Sequence, residues 1–213
     1  MCGIFGVYPH KDAAQLACLG LYALQHRGEE AAGIITRNGK KVYLHKALGL
    51  VSDVFDDKVL RSLRGEFAIG HLRYSTTGSS NLKNTQPFYV KSKVGDIAIA
   101  HNGNLTNTVK LREELENNGA LFQTTMDSEI IVHLLAHSKK KDLQGIVIEA
   151  LSKLEGAYSL ALMFNDTLIG ARDVFGWRPL CLGKLDDAYI LASETCALDI
   201  ITAKYIPDIN PSE

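Results

Sequence analysis

The sequence predicts an α+β protein in which antiparallel sheets, built from hairpins, are covered by helices in a layered sandwich. Three observations lead there. β-prone runs come in pairs around tight-turn residues; helical stretches are grouped between those pairs; and there is no GxGxxG or Walker-type loop. A doubly wound nucleotide fold needs strands and helices that alternate one for one, so that class is excluded.

Taken in order, Ile4 to Tyr8 reads as a short buried strand. Residues 12 to 26 place Leu16, Leu19, Ala23 and Leu24 at helical spacing, with Gly28 as a stop. Gly33–Thr36 and Lys41–His45 flank Asn38-Gly39, a strong hairpin signal. Ser52 to Leu63 reads as a helix closed at Gly65, and Phe67 to Tyr74 as a strand. A long polar loop, Ser75 to Gln86, follows. Phe88–Val90 and Asp96–Ala100 form a hairpin around Gly95, and His101-Asn102-Gly103-Asn104 reads as a tight turn. Helices are expected at 108–118, ended by Gly119, and at 127–138 and 142–154. Gly156–Phe164 and Thr167–Ala171 pair around Asn165-Asp166. Strands near 179–183 and 188–193 and a short helix from 195 complete the pattern.

With 213 residues, 46% hydrophobic content and a net charge of −1, the chain reads as one soluble globular domain with no call for nucleic acid. No apolar run approaches the roughly 20 residues of a membrane span, and no signal peptide is evident. Cys2, Cys18, Cys181 and Cys196 show no CxxC spacing. A reduced, cytoplasmic protein is expected, with the last three as small buried hydrophobes.

Cys2 is different. Removal of the initiator would give it a free amine, so that a thiol nucleophile and an amine of pKa about 8 share one residue. N-terminal threonine nucleophiles use the same pairing in place of a histidine. Four other segments carry chemical potential. In Gln25-His26-Arg27-Gly28-Glu29, Gly28 reads either as a helix stop or as a point of close ligand approach. Arg73, where a strand yields to a polar loop, is either a surface residue or a two-pronged carboxylate clamp. Asn102-Gly103 is either a plain turn or a pair of donors for an oxyanion. Asp127 either caps its helix or holds a substrate ammonium. His133 and His137, four apart, lack the intervening glutamate and third ligand of a metal site, so no metal is assigned.

Taken in order, Cys-Gly-Ile-Phe-Gly, Gln-His-Arg-Gly-Glu, His-Leu-Arg-Tyr-Ser-Thr, His-Asn-Gly-Asn-Leu and Asp-Ser-Glu resemble the class II glutamine amidotransferase domain, an N-terminal-nucleophile hydrolase. Arg172–Leu180 and Ser193–Asp199 are similar to the amidophosphoribosyltransferase branch, which makes phosphoribosylamine to begin purine synthesis. Val174 and Trp177 depart from the usual pattern. The resemblance implies a four-layer αββα sandwich over residues 1–213. Cys2 would be the nucleophile and its amine the base, with Asn102 and Gly103 as the oxyanion hole. Arg73 would bind the α-carboxylate of L-glutamine and Asp127 its α-ammonium. The Arg27 backbone and Gly28 would line the pocket, Thr76 would lie on a closing loop, and Tyr74 would help gate ammonia.

Family members are about twice as long and homo-oligomeric, with a phosphoribosyltransferase domain. Magnesium and any iron–sulfur cluster would belong to that domain, whose pyrophosphate loop is not found here. The expectation is a chain that makes ammonia but not phosphoribosylamine. Within the superfamily, the runner-up is a glutaminase serving another acceptor, as in glucosamine-phosphate synthase. From another class, the alternative is a non-catalytic glutamine-binding module. Met1 must leave, because with it attached the Cys2 nitrogen is an amide and no base.

Overall fold

In the computed structural model, residues 1–74 and 81–212 are described. The loop position Thr76 lies outside them. The strands are β1 (Gly3–Tyr8), β2 (Ala31–Asn38), β3 (Lys41–Leu48), β4 (Phe67–Arg73), β5 (Phe88–Ser92), β6 (Gly95–Leu105), β7 (Gly156–Phe164), β8 (Thr167–Arg172), β9 (Cys181–Leu185), β10 (Ala188–Ala192) and β11 (Lys204–Ile206). The α-helices are α1 (Ala13–Ala23), α2 (Val51–Val54), α3 (Asp57–Ser62), α4 (Thr108–Asn117), α5 (Asp127–His137), α6 (Leu143–Leu151) and α7 (Cys196–Asp199). A large sheet runs β11-β9-β10-β1-β4-β2-β3 and a small one β5-β6-β7-β8. Neighbouring strands pair antiparallel.

Both faces of each sheet are covered, which explains why the central strands are almost continuously apolar. Side chains alternate across a strand. In β1, Phe5 and Val7 enter the layer beneath α1 with Leu21 and Leu24, while Ile4 enters the layer between the sheets. In β7, Ala161 and Met163 join Ile4, Ile69 and Leu191 between the sheets. Leu160 and Leu162 face the opposite way, toward Ile130 and Leu135 of α5. The result is the expected αββα layering. Arg37 of β2 ties the sheets together, with its guanidinium 2.6 Å from Asp96 Oδ2 and 2.8 Å from Asp166 Oδ1. Leu135 is wholly buried. Leu135→Ala is expected to remove about 2–5 kcal/mol, read as a lower urea midpoint with an unchanged slope.

Several elements differ from the sequence expectation. The first helix ends at Ala23 and tightens into a 3₁₀ turn, Gln25–Arg27. There the Gln25 side chain donates to the Gly28 carbonyl at 2.6 Å and accepts from Val51 N–H at 2.8 Å. The helix expected over 52–63 is two pieces, because Asp56 turns its carboxylate back to the Val59 N–H at 2.7 Å and starts α3 afresh. His101–Asn104 is not a turn. It continues β6, with Asn102 opposite Ser159 and Gly103 opposite Tyr158 on β7. The Asn-Gly pair misled here because its glycine serves a close approach: a Cβ on Gly103 would collide with the Ala157 carbonyl and lie 2.7 Å from His101 Nε2. Gly103→Ala is therefore expected to cost about 1–3 kcal/mol, measured as a lower melting temperature. Strand β11 was not anticipated; three residues pairing on an edge leave little pattern.

Candidate active site

Antiparallel pairing of β1 with β4 puts Gly3 opposite Leu72, so one step beyond it Cys2 arrives beside Arg73 and Tyr74. The half-buried Cys2 thiol points to the Tyr74 carbonyl, with Sγ at 3.7 Å. It opens on a cavity of about 240 Å³ whose wall includes Arg73, Tyr74, His101, Gly103 and Asp127. Burial pushes the thiol pKa up, opposed by the charges of the N-terminal amine and Arg73. Reaction therefore calls for a base close at hand.

Each expected residue but Thr76 falls within the described residues. Arg73 ends β4 and is buried. Its Nη1 donates to the Asn84 carbonyl, and its Nε lies 3.8 Å from Glu30 Oε2 with no hydrogen-bond partner among the described residues. Asp127 is the first residue of α5 and not its N-cap, which is Met126. Its carboxylate accepts from Leu105 N–H at 3.2 Å, meets Ser128 of its own helix, and lies 3.2 Å from His101 Nδ1. Burial favours its neutral form, but the His101 ring and the N–H groups of Leu105 and Ser128 prevail and hold its pKa below the usual range. An anion and a guanidinium thus share one small cavity.

Asn102 is 1% exposed, and its Nδ2 has no hydrogen-bond partner among the described residues. A buried amide donor of this kind carries a full desolvation cost unless something accepts from it. Asn102, Arg27 and Gly28 do not belong to the cavity wall, whereas Gly103 does. Gly28 packs against the end of β4, where a Cβ would lie 2.6 Å from the Arg73 carbonyl oxygen. The Arg27 side chain reaches Cys2 from behind, its Nε donating to the Cys2 carbonyl at 2.9 Å. Tyr74 is half exposed at the rim, and its carbonyl is the atom that meets the thiol.

Sequence reading missed the partners of these groups. Asn84, His101 and Glu194 position Arg73, Asp127 and Arg27 through contacts 11, 26 and 167 residues distant in sequence. His101 and Glu194 lie in the His-Asn-Gly-Asn-Leu and Ser193–Asp199 segments, but with no such role assigned to them.

His71 lies beneath the site, fully buried, its Nε2 3.2 Å from the His101 carbonyl and its pKa pushed down to about 3 by burial. An unfolded histidine titrates near 6.5. Between those values the unfolded chain binds a proton that the native one refuses. Stability therefore rises with pH across the window and is lost progressively as pH falls from about 6.5 toward 3. Urea midpoints at several pH values check this; the decline should flatten in His71→Gln, which keeps a donor and removes the titration.

A profile described as a glutamine amidotransferase domain matches residues 71–199. The amidophosphoribosyltransferase of Methanocaldococcus jannaschii is 48% identical over 217 aligned residues, covering all of this chain and 46% of that protein. That of Bacillus subtilis is 43% identical and is covered over 45% of its length. Among solved structures, the glutamine phosphoribosylpyrophosphate amidotransferase of B. subtilis complexed with ADP and GMP superposes with a TM-score of 0.93 at 43% identity. The superposition covers 99% of this chain and 46% of that one. The chain spans about half the length of the curated relatives it matches. With its motifs, its two stacked antiparallel sheets and its cysteine-headed cavity in agreement, the chain belongs to the glutamine amidotransferase domain family.

Proposed function

We propose that this chain is the glutaminase part of an amidophosphoribosyltransferase, releasing ammonia from L-glutamine through a Cys2 thioester. The observation that carries the reading is the cavity that joins the Cys2 thiol to the Arg73 cation and the Asp127 anion. Free glutamine carries the complementary charges at its α-carbon and an amide at the far end.

Arg73, whose Nε has no hydrogen-bond partner among the described residues, holds the α-carboxylate. Asp127, kept ionised, holds the α-ammonium. The Cys2 amine takes the thiol proton, and the thiolate attacks the amide carbon. The Asn102 amide and the Gly103 N–H receive the developing oxyanion. As the tetrahedral adduct collapses, the C–N bond breaks and the amine returns its proton to the departing ammonia. Water then hydrolyses the thioester to glutamate, regenerating the thiol. Tyr74 at the rim is the residue past which ammonia leaves.

The acceptor chemistry belongs to a phosphoribosyltransferase domain or subunit that takes the ammonia to form phosphoribosylamine, the first step of purine synthesis. The 43–48% identity to amidophosphoribosyltransferases supports that acceptor over a sugar-phosphate one. Homo-oligomeric assembly and a cytoplasmic location are part of the same reading. No described helix is long and apolar enough to cross a membrane.

Methionine removal is the first test. Met1 stands at the head of the chain, its Sδ accepting from Arg178 Nη1 at 2.9 Å. Cell-expressed protein should have an intact mass lacking this methionine, and only that form should release ammonia in a glutamate-dehydrogenase-coupled assay. A protein retaining Met1 at full activity would exclude an amine base.

A further inference from the structure

We infer that Glu194 is a positioning residue for the cysteine nucleophile, acting through Arg27 to fix the main chain of Cys2 from behind. The inference rests on the glutaminase reading above and adds a residue to it. Arg27, 4% exposed, spans the two: its Nε donates to the Cys2 carbonyl at 2.9 Å and its Nη1 meets Glu194 Oε1. The other carboxylate oxygen of Glu194 lies 3.0 Å from His26 Nε2. Arg27 Nη2 is buried without a hydrogen-bond partner among the described residues, so Glu194 supplies the guanidinium with its one counter-charge here.

The neighbouring residue grips the same strand. Ile4 N–H donates to Ser193 Oγ at 2.9 Å, and Ser193 N–H donates to the Ile4 carbonyl at 3.0 Å. Ser193-Glu194 therefore holds β1 at Ile4 directly and at Cys2 through one guanidinium. The chemistry gives this grip a purpose. When nucleophile and base are one residue, no histidine can be swung into line; the placement of thiol and amine is set by the backbone of that residue. Glu194 is suited to the task because Arg27 and His26 outweigh its partial burial and hold its carboxyl pKa low.

A plain structural ion pair predicts something different, which makes the two separable. In the methionine-free protein, Glu194→Ala should lower kcat for glutamine hydrolysis about ten- to a hundredfold, as misplacement of a reacting group by about an ångström does. KM should stay within about threefold, since Arg73 and Asp127 are untouched. Glu194→Gln, which keeps the hydrogen bonds, should recover part of kcat. Both variants should melt close to the wild type.

Alkylation of Cys2 by iodoacetamide, followed against pH, needs no glutamine. The charges acting on the Cys2 thiol are the Met1 ammonium, Arg73 and Asp127; Arg27 and Arg178 act on that ammonium, and His26 stands behind Glu194. Removing the Glu194 charge leaves Arg27 uncompensated, and the alkylation profile of both variants should shift to lower pH. An unshifted profile, or a kcat loss that only follows the loss of folded protein, overturns the inference. Should the wild type release no ammonia, the glutaminase reading fails, and the alkylation profile alone decides the role of Glu194.

Discussion

Cys2→Ala is expected to abolish ammonia release, by more than about a thousandfold in kcat, while leaving glutamine binding within a few-fold of the wild type. The two halves of the expectation come from different groups. Bond breaking needs the sulfur, since neither Asn102 nor Gly103 carries a nucleophile. Affinity comes from the charged ends of glutamine on Arg73 and Asp127, neither of which depends on Cys2 for its place: Arg73 is anchored on the Asn84 carbonyl and Asp127 on the Leu105 N–H and His101. Calorimetric titration of the variant with glutamine, beside a single-turnover assay, separates them. A glutamine-binding module would bind equally well but show no difference in ammonia release between wild type and variant. The pH dependence adds a sign. Burial raises the Cys2 thiol pKa, so at neutral pH it is protonated and depends on its base. The rate should climb with pH as the processed amine loses its proton, and iodoacetamide alkylation of wild-type Cys2 should follow the same curve.

The layered architecture was legible because each level of the sequence pointed the same way. Asn38-Gly39 and Asn165-Asp166 set two hairpins, and Gly119 takes the left-handed conformation, φ +87°, that ends α4. Which residues of β1 and β7 face a partner sheet and which face helices is seen only in the structure, because both sides of these strands are apolar. What failed did so where local signals had two meanings. Asn102-Gly103 has the composition of a turn, yet the glycine is there because β7 backbone passes too close for a Cβ, and only the pairing with Tyr158 reveals it. Asp127 has the composition of a cap, yet Met126 holds the cap position and the Asp127 carboxylate reaches across to Leu105 of β6. The motifs could single out Cys2, Arg73, Gly103 and Asp127, which the structure brings to one cavity, with Asn102, Arg27 and Gly28 outside its wall. Their supports could not be read so, because Glu194 lies 167 residues from Arg27 and nothing local records that contact.

The second large effect is expected at the charged ends of the substrate. Asp127→Asn should lower kcat/KM for glutamine by two to three orders of magnitude, about 3–4 kcal/mol, mostly through KM. The carboxylate is partly buried beside His101 and kept ionised, so its attraction for an ammonium acts where screening by water is reduced. Asparagine keeps the volume and an oxygen for the Leu105 N–H but removes the charge. Arg73→Ala should cost a comparable amount by leaving the α-carboxylate without its cation. Either loss by itself would also follow from a disturbed fold, so the decisive measurement compares substrates. Wild type should prefer glutamine strongly over glutaramate, which keeps the amide and the carboxylate but lacks the α-amine. In Asp127→Asn that preference should nearly vanish, because the missing ammonium no longer has a partner to miss. In Arg73→Ala it should persist, since Asp127 still selects for the amine. If Asp127→Asn weakens both substrates equally, then Asp127 supports the cavity wall without reading the substrate, and the assignment of the two ends of glutamine to these two side chains is wrong.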